Sequence, residues 1–174
     1  MNIRKCWKDM VKRCQPENQV GQLESYKGCF LNDAWLGYEA FHDWYRSRIC
    51  VTPTIDKDII KRANKEYGPE TCLVVPSSIN KSFQLRGNGP LPGIKIVIGG
   101  KYSARYTDEF GTERARNFTC MFEAHKFWQL MKANHIERLL ESYILSDEVN
   151  FHVRNRINLL RNDAESGVVT GDYL

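Results

Sequence analysis

The sequence predicts an α+β protein: N-terminal helices with a small strand–strand–helix unit, then a three-stranded antiparallel sheet with a helix across it and a C-terminal helix. Three observations lead to this fold class. Residues 55–80 combine a polar loop, a short apolar strand and a helix start. Residues 94–120 contain three short strands separated by glycine-containing turns. Residues 121–145 repeat apolar side chains at intervals of three and four, which is typical of an amphipathic helix.

The composition is that of an ordinary soluble protein. The chain has 174 residues, of which 42% are hydrophobic and 26% are charged, and its formal net charge is +4. This length suffices for one domain or for two small ones. No apolar run approaches the roughly 20 residues that span a bilayer, and the basic N-terminus lacks the apolar core of a secretory signal. We therefore expect a cytoplasmic protein with no membrane partner.

The six cysteines predict reduced, buried thiols. They occur singly, with no CxxC pair in the chain, whereas a structural zinc site usually includes at least one close pair of ligands. Zinc is therefore not expected, and the thiols should act as small apolar side chains.

The first part of the chain predicts helices that pack through aromatic side chains. Residues 3–14 place Trp7 and Met10 at helical spacing, with basic side chains on the other face. A short strand is expected at residues 29–31. The helix expected from about Asp33 carries a stripe of aromatic residues, for which core packing is the favoured interpretation.

The second part follows a candidate linker. Residues 84–93 contain three glycines and two prolines, which interrupt helices and strands, so we expect one domain over 1–83 and another over 94–174. In the second, one face of the sheet should pack on the helix. The side chains expected at this contact are Ile96, Ile98 and Ala104 on the strands and Phe122, Phe127 and Leu130 on the helix. A last helix begins near Asp147 with an acidic first turn, and the tail after Ser166 is expected to fray.

Asp56 and Asn80 are the candidate metal ligands. They flank "ETCLVV", which predicts a strand, and "PSSIN", which predicts a helix start. A nuclease with one metal ion uses it to stabilise the phosphate and the leaving oxygen, and it uses a general base to deprotonate water. A carboxylate and an amide carbonyl are ligands that Mg²⁺ and Mn²⁺ prefer. An alternative remains open, in which both side chains only cap turns and helix ends.

Five short motifs carry a resemblance to a known family. They are W-x-x-M-x-x-R-C at 7–14, W-L-x-x-x-x-F-x-x-W at 35–44, D-K-D-I at 56–59, N-K-x-Y-x-P-x-T-C at 64–72 and I-N at 79–80. Through them, residues 5–83 resemble the HNH endonuclease-like proteins of bacteriophages, which have a ββα-metal fold. The resemblance implies a metal-dependent DNA endonuclease or nickase of homing type, with Mg²⁺ or Mn²⁺ as cofactor, acting in the cytoplasm of an infected bacterium.

The catalytic residues that the resemblance implies are only partly retained. The metal ligands of the family fall on Asp56 and Asn80, the general-base histidine falls on Lys57, and the central asparagine falls on Thr71. Lys57 lies beside two acids and should stay protonated, because the ordinary pKa of a lysine is about 10.4. Its simpler use would be to contact a phosphate. We therefore expect weak or absent cleavage.

The motifs G-I at 93–94, K-Y-S-A-R at 101–105 and F-E-A-H-K-F-W at 122–128 are similar to those of Apetala-type DNA-binding modules. This resemblance implies that the sheet faces the major groove of double-stranded DNA. Between Thr71 and Thr107 the chain has no acidic residue, which also favours an anionic partner. The candidate DNA-binding residues are Lys81, Arg86, Lys95, Lys101, Tyr102, Arg105, Arg114 and Arg116.

A second class of function competes with the nuclease. The chain could be a non-catalytic phage protein on the same scaffold, which binds DNA or inhibits a host or anti-phage defence protein. The replacement of the histidine by Lys57, together with Thr71, favours this alternative.

Overall fold

The α+β fold class is confirmed by a computed structural model, which describes residues 2–18, 26–48, 50–85 and 89–171. The chain forms two compact units, Met1–Asn80 and Lys81–Leu174. Within the described ranges, no helix is long and apolar enough to cross a membrane. All six cysteines are free thiols.

The first unit begins with the expected helix, α1 (Ile3–Cys14), whose N-terminus is capped by the side chain of Asn2. After a short 3₁₀ helix, Pro16–Asn18, come β1 (Phe30–Leu31), a second 3₁₀ helix, Asp33–Trp35, and α2 (Tyr38–Arg46). The aromatic stripe is core, as expected. The buried core of this unit comprises Met10, Cys29, Trp35, Phe41, Tyr45, Tyr67, Cys72 and Val74.

Four short strands and a helix complete the first unit. β1 pairs in parallel with β3 (Glu66–Tyr67), and β2 (Pro53–Asp56) pairs antiparallel with β4 (Leu73–Pro76). The helix α3 (Ser77–Phe83) follows β4 without a loop. The register places Asp56 opposite Leu73, so the last residue of β2 and the first residue of β4 are adjacent. Two paired strands and a helix therefore surround Asp56.

The second unit contains a three-stranded antiparallel sheet in the order β5 (Ile94–Val97), β6 (Lys101–Thr107) and β7 (Glu113–Phe118). Helix α4 (Met121–Glu141) packs on this sheet, where the ring of Phe127 contacts those of Tyr106 and Phe118. Helix α5 (Asp147–Ser166) packs on α4, and Arg161 pairs with Glu137 between them at 2.6 Å.

The contact between sheet and helix differs in part from the expected one. Ala104 is buried, but Ile96 and Phe122 are 64% and 59% exposed, and Ile98 lies in a turn. The buried position on β5 is Ile94, which is directly opposite Ala104. α4 thus covers the centre of the sheet near Ile94 and leaves the end of β5 open.

The chain after Ser166 does not fray in its described part. Gly167 ends α5 with a left-handed φ of 68°, and Thr170 is buried. Its hydroxyl donates to Asp163 at 3.0 Å and accepts a hydrogen bond from Gln129 at 2.9 Å. Its backbone N–H donates to Nε2 of His125 at 3.2 Å. Because Nδ1 of His125 faces the carbonyl of Pro92, this histidine is neutral, and burial lowers its pKa.

The segment expected to be a linker, 84–93, lies within the second unit, and its residues 86–88 are outside the described ranges. The carbonyl of Pro92 accepts the hydrogen bond from His125. Gly93 has a φ of 73°, and a Cβ atom there would lie 2.0 Å from Nε1 of Trp128. Glycine is therefore required at residue 93 for two reasons, the backbone conformation and the close approach of the Trp128 ring.

Replacing Gly93 by alanine should destabilise the second unit more than the same change at Gly99. Both glycines have positive φ values, but a Cβ at Gly99 would have no atom within 4 Å. Gly99→Ala should cost about 1 kcal/mol for the backbone alone. Gly93→Ala adds a steric cost of about 1–3 kcal/mol. Chemical denaturation of the two variants measures the difference, and equal losses of stability would contradict the packing against Trp128.

Candidate functional site

The structure brings the two candidate metal ligands together. Oδ1 of Asp56 accepts hydrogen bonds from the backbone N–H groups of Asp58, at 2.8 Å, and Ile59, at 2.7 Å. Its other oxygen, Oδ2, accepts from the side-chain amide of Asn80 at 3.0 Å. Asp56 therefore caps a turn after β2, and its outer oxygen is directed at α3. This geometry agrees with both expectations. Asp56 caps a turn, as in the alternative without a metal ion, and it lies next to Asn80, as two ligands of one ion would.

Asp56 is a carboxylate outside the ion pairs of the described residues, and the neighbouring charge of Lys57 is the smallest of the effects on its pKa. None of the ion pairs found among the described residues includes it. Burial raises its pKa to about 6, which the hydrogen bonds from Ile59 and Asp58 only partly offset, and the charge of Asp58 adds to the increase. A bound cation would remove this deficit, so the electrostatics of Asp56 are compatible with a divalent ion.

The set of protein ligands around Asp56 is small. Within the described ranges, no group of three or more His, Cys, Asp or Glu side chains is arranged to hold a metal ion. Asn80 presents its NH₂ group to Asp56, so its amide must rotate before its oxygen can join Asp56 on an ion. A metal ion held by these two residues would depend on water or phosphate oxygens for the rest of its ligands.

Lys57 is buried, with 3% of its surface exposed, and its ammonium group is fully engaged. Nζ donates to both carboxylate oxygens of Asp58, at 2.7 and 2.9 Å, and to the carbonyl of Asn64 at 2.7 Å. These three acceptors use all three of its N–H donors. The expected contact between Lys57 and a phosphate is therefore wrong in this conformation, because the ammonium group faces inward. An amine whose nitrogen is held by three acceptors is equally unsuited to act as a base.

Asn64 completes this buried network, and sequence reasoning missed it. Its side-chain NH₂ donates to the carbonyls of Lys57, at 2.9 Å, and Glu66, at 2.7 Å, and its oxygen accepts from the N–H of Glu66 at 3.1 Å. Lys57 and Asn64, near the two ends of the loop between β2 and β3, are thus joined by two hydrogen bonds, one from each side chain to the other residue's carbonyl. The side chain of an asparagine commonly forms a hydrogen bond with the backbone of the residue two positions later. The spacing of Asn64 and Glu66 was therefore the sequence signal that could have indicated this turn.

Thr71 contributes to the turn before β4. Its hydroxyl lies 3.1 Å from the carbonyl of Glu66 and 3.3 Å from that of Gly68. This arrangement is structural, and it resembles the loop-shaping role more than a catalytic one.

The basic residues on the sheet fall on two opposite faces. Directly opposed residues of antiparallel strands point to the same face, and the register pairs Tyr106 with Arg114 and Ala104 with Arg116. Because Tyr106 and Ala104 face α4, so do these two arginines. Lys101 and Arg105 alternate with them and lie on the other face. The single DNA-binding surface expected from the sequence is therefore divided.

The face turned away from α4 carries Lys95, Lys101 and Arg105, all exposed. Lys95 is opposite Ser103, and Ser103 is opposite Asn117, which adds an exposed amide to the row. Within the part of the chain that the structure describes, none of the three cations forms an ion pair. We call this surface, defined by Lys95, Lys101 and Arg105, the basic face.

The residues on the α4 side are already engaged. Arg114 pairs with Asp108 at 2.9 Å, and the guanidinium of Arg116 lies over the rings of Phe118 and Phe127. Tyr102, directly opposite Phe118, shares this side. Lys81 is exposed on α3, and Arg86 lies outside the described residues.

Comparisons of the chain with protein-family models, with curated proteins and with solved structures gave no match.

Replacing Asp56 by asparagine should change how stability depends on pH. The pKa of Asp56 is about 6 in the folded protein, against an ordinary value of 3.8. The stability that its protonated carboxyl group contributes is therefore fully present below pH 3.8 and is lost as the pH rises through 6. Asparagine keeps the oxygen that accepts from Asp58 and Ile59 and carries no charge. As the pH rises from 4 to 7, we expect the free energy of unfolding of Asp56→Asn to increase relative to that of the wild type by up to about 3 kcal/mol.

Asp9→Asn is the control for this pH experiment. Asp9 is an exposed carboxylate whose pKa is lowered, first by its hydrogen bond to Lys5, so its removal should change stability in the opposite direction. Denaturant titrations at several pH values make the measurement. A difference between Asp56→Asn and the wild type that is constant with pH would contradict the uncompensated charge of Asp56.

Proposed function

We propose that the protein binds double-stranded DNA through the basic face and that its first unit is an HNH-like nuclease scaffold, of the kind found in phages, with a weak metal site. Cleavage of DNA as an endonuclease or nickase would then be slow or absent. The observation that carries the proposal is the basic face, on which three exposed cations form no ion pair with any described residue.

The spacing of these cations suits a phosphate backbone. Lys101 and Arg105 are four residues apart on one strand, or about 13 Å at 3.3 Å per residue, and Lys95 lies on the neighbouring strand. Glu113, the first residue of β7 and directly opposite Thr107, is an acidic residue on the same face. Lysine and arginine on such a surface contact phosphates more often than bases, so we expect affinity with little dependence on sequence.

The proposed metal site rests on the uncompensated carboxylate of Asp56. With Asn80 it would hold Mg²⁺ or Mn²⁺, and the ion would supply Lewis-acid stabilisation of a phosphate. The residues of this chain would position the ion through the turn that Asp58 and Ile59 close on Asp56. Because Lys57 is buried in an ion pair, water would be activated without a positioned side-chain base, which typically contributes about 10²–10⁴-fold.

One observation favours the alternative, in which the protein binds a host or defence protein. Phe110 is 82% exposed at the turn between β6 and β7, between the exposed acids Glu109 and Glu113. The turn is held by Asp108, whose carboxylate accepts from the N–H groups of Phe110 and Thr112. A fixed aromatic side chain with acidic neighbours fits a protein pocket with a basic rim.

Charge reversal on the basic face tests DNA binding. Lys101→Glu combined with Arg105→Glu should weaken binding to duplex DNA whatever its sequence, and the slope of log affinity against log salt should fall by about 2, near one unit per lost phosphate contact. Fluorescence anisotropy over a range of KCl concentrations measures both. Lys126→Glu, on the exposed side of α4, controls for the change of net charge in each of the two single reversals. Binding that survives the double reversal would exclude the basic face.

Mn²⁺ binding tests the first unit independently of cleavage. Mn²⁺ should raise the melting temperature of the wild type, by an amount equivalent to about 2.7 kcal/mol at a hundred times its dissociation constant. The effect should be larger above pH 6 than below it, because the Asp56 carboxylate must ionise. Asp56→Ala should abolish it together with any nicking of supercoiled plasmid.

The outcome separates two accounts of the first unit. Stabilisation by Mn²⁺ with slow nicking supports a degenerate nuclease. If Mn²⁺ has no effect on wild type or variant, the scaffold binds no metal and the non-catalytic alternative replaces it. Rapid nicking by the wild type would contradict the assignment of Lys57 to structure.

A further inference from the structure

The turn between β5 and β6 presents a fully exposed isoleucine. The N–H of Gly100 donates to the carbonyl of Val97 at 3.2 Å, and Gly99 and Gly100 have φ values of 85° and 70°. Ile98 is the second residue of this four-residue turn, and its relative exposure is 103%. The two glycines supply the backbone conformation that the turn requires, so the turn itself does not explain an isoleucine at residue 98.

The neighbourhood of Ile98 is apolar and basic. Ile96, at the open end of β5, is 64% exposed and lies on the α4 side of the sheet, directly opposite Tyr102. Lys95 and Lys101 lie near the turn on the basic face. Isolated apolar side chains are common on protein surfaces. Here, however, Ile98 lies in the turn that connects the two strands carrying Lys95, Lys101 and Arg105. We call residues 96–101 the β5–β6 tip.

The two turns of the sheet have opposite character. Phe110, in the turn at the other end of β6, has the exposed acids Glu109 and Glu113 near it in the sequence. The β5–β6 tip lies instead in the stretch from Thr71 to Thr107, which has no acidic residue. Charge complementarity therefore assigns a polyanion to the β5–β6 tip. Because the cations continue along β6 to Arg105 rather than surrounding the tip alone, an elongated duplex fits better than a membrane surface.

We propose that Ile98 is an apolar wedge that enters duplex DNA next to the basic face, partly unstacks one base step and bends the duplex. The inference rests on the proposed DNA binding. Lys95 and Lys101 hold the phosphates on either side, and Gly99 and Gly100, which lack a Cβ, let the backbone approach closely. Unstacking one step costs a few kcal/mol. Burial of the isoleucine side chain and the additional phosphate contacts of a bent duplex offset that cost.

Ile98→Ala tests the wedge, with Ile144→Ala as a matched control. Ile144, between α4 and α5, is also 103% exposed, so neither substitution removes packing within the protein. Ile98→Ala should bind duplex DNA about tenfold more weakly and should leave the duplex straighter. The salt dependence should be unchanged, because no charge is removed. Ile144→Ala should match the wild type in all three respects.

The measurements are fluorescence anisotropy for affinity and energy transfer between dyes at the two ends of the duplex for bending. If the wild type binds DNA without bending it and Ile98→Ala binds equally well, the wedge is excluded and the proposed DNA binding stands. If the wild type binds no DNA, both fail. If Ile98→Ala loses binding to vesicles of anionic phosphatidylserine while its DNA affinity is unchanged, the tip is a membrane contact and the wedge is overturned.

Discussion

The buried ammonium group of Lys57 is the interaction on which the geometry of the first unit depends. It joins the carboxylate of Asp58 to the carbonyl of Asn64, and the backbone N–H of Asp58 in turn holds Asp56. Removing one partner of a buried ion pair commonly costs about 3–5 kcal/mol, since the other is left without compensation. The turn that holds Asp56 is therefore connected, through Lys57, to the loop at Asn64, seven residues after Lys57.

The same interaction explains why the first unit can keep its shape without a base for catalysis. A histidine has at most two N–H donors and could not satisfy the three acceptors that Lys57 uses, and a lysine held by three acceptors is not free to accept a proton. The site thus combines an uncompensated carboxylate at Asp56, whose raised pKa lowers stability at neutral pH, with a neighbour devoted to structure. A carboxylate that costs stability is typical of a site that serves a ligand.

Periodicity and composition were sufficient for the helices and for the three strands of the second unit, because these depend on local patterns. The proximity of Asp56 and Asn80 was expected from their residue types and from the resemblance. Periodicity and composition were insufficient for Lys57. A lysine between two acids is expected at the surface, and only the fold shows that the carbonyl of Asn64 accepts a hydrogen bond from its buried ammonium group. Alternation places Lys101 and Arg105, four residues apart on one strand, on the same face. It could not relate them to Arg114, because the face of one strand relative to the next depends on register.

The anchored position of Thr170 bears on the order in which the chain acquires its structure during translation. The described hydrogen bonds of Asp56 and Lys57 all lie within residues 56–80. His125 and Gln129, in contrast, form hydrogen bonds with Thr170, which is synthesised about 40 residues later. At 5–20 residues per second, roughly 5–20 s separate the synthesis of Asn80 from that of Thr170. During that interval a nascent chain can complete the surroundings of Asp56 while α4 still lacks its C-terminal partner.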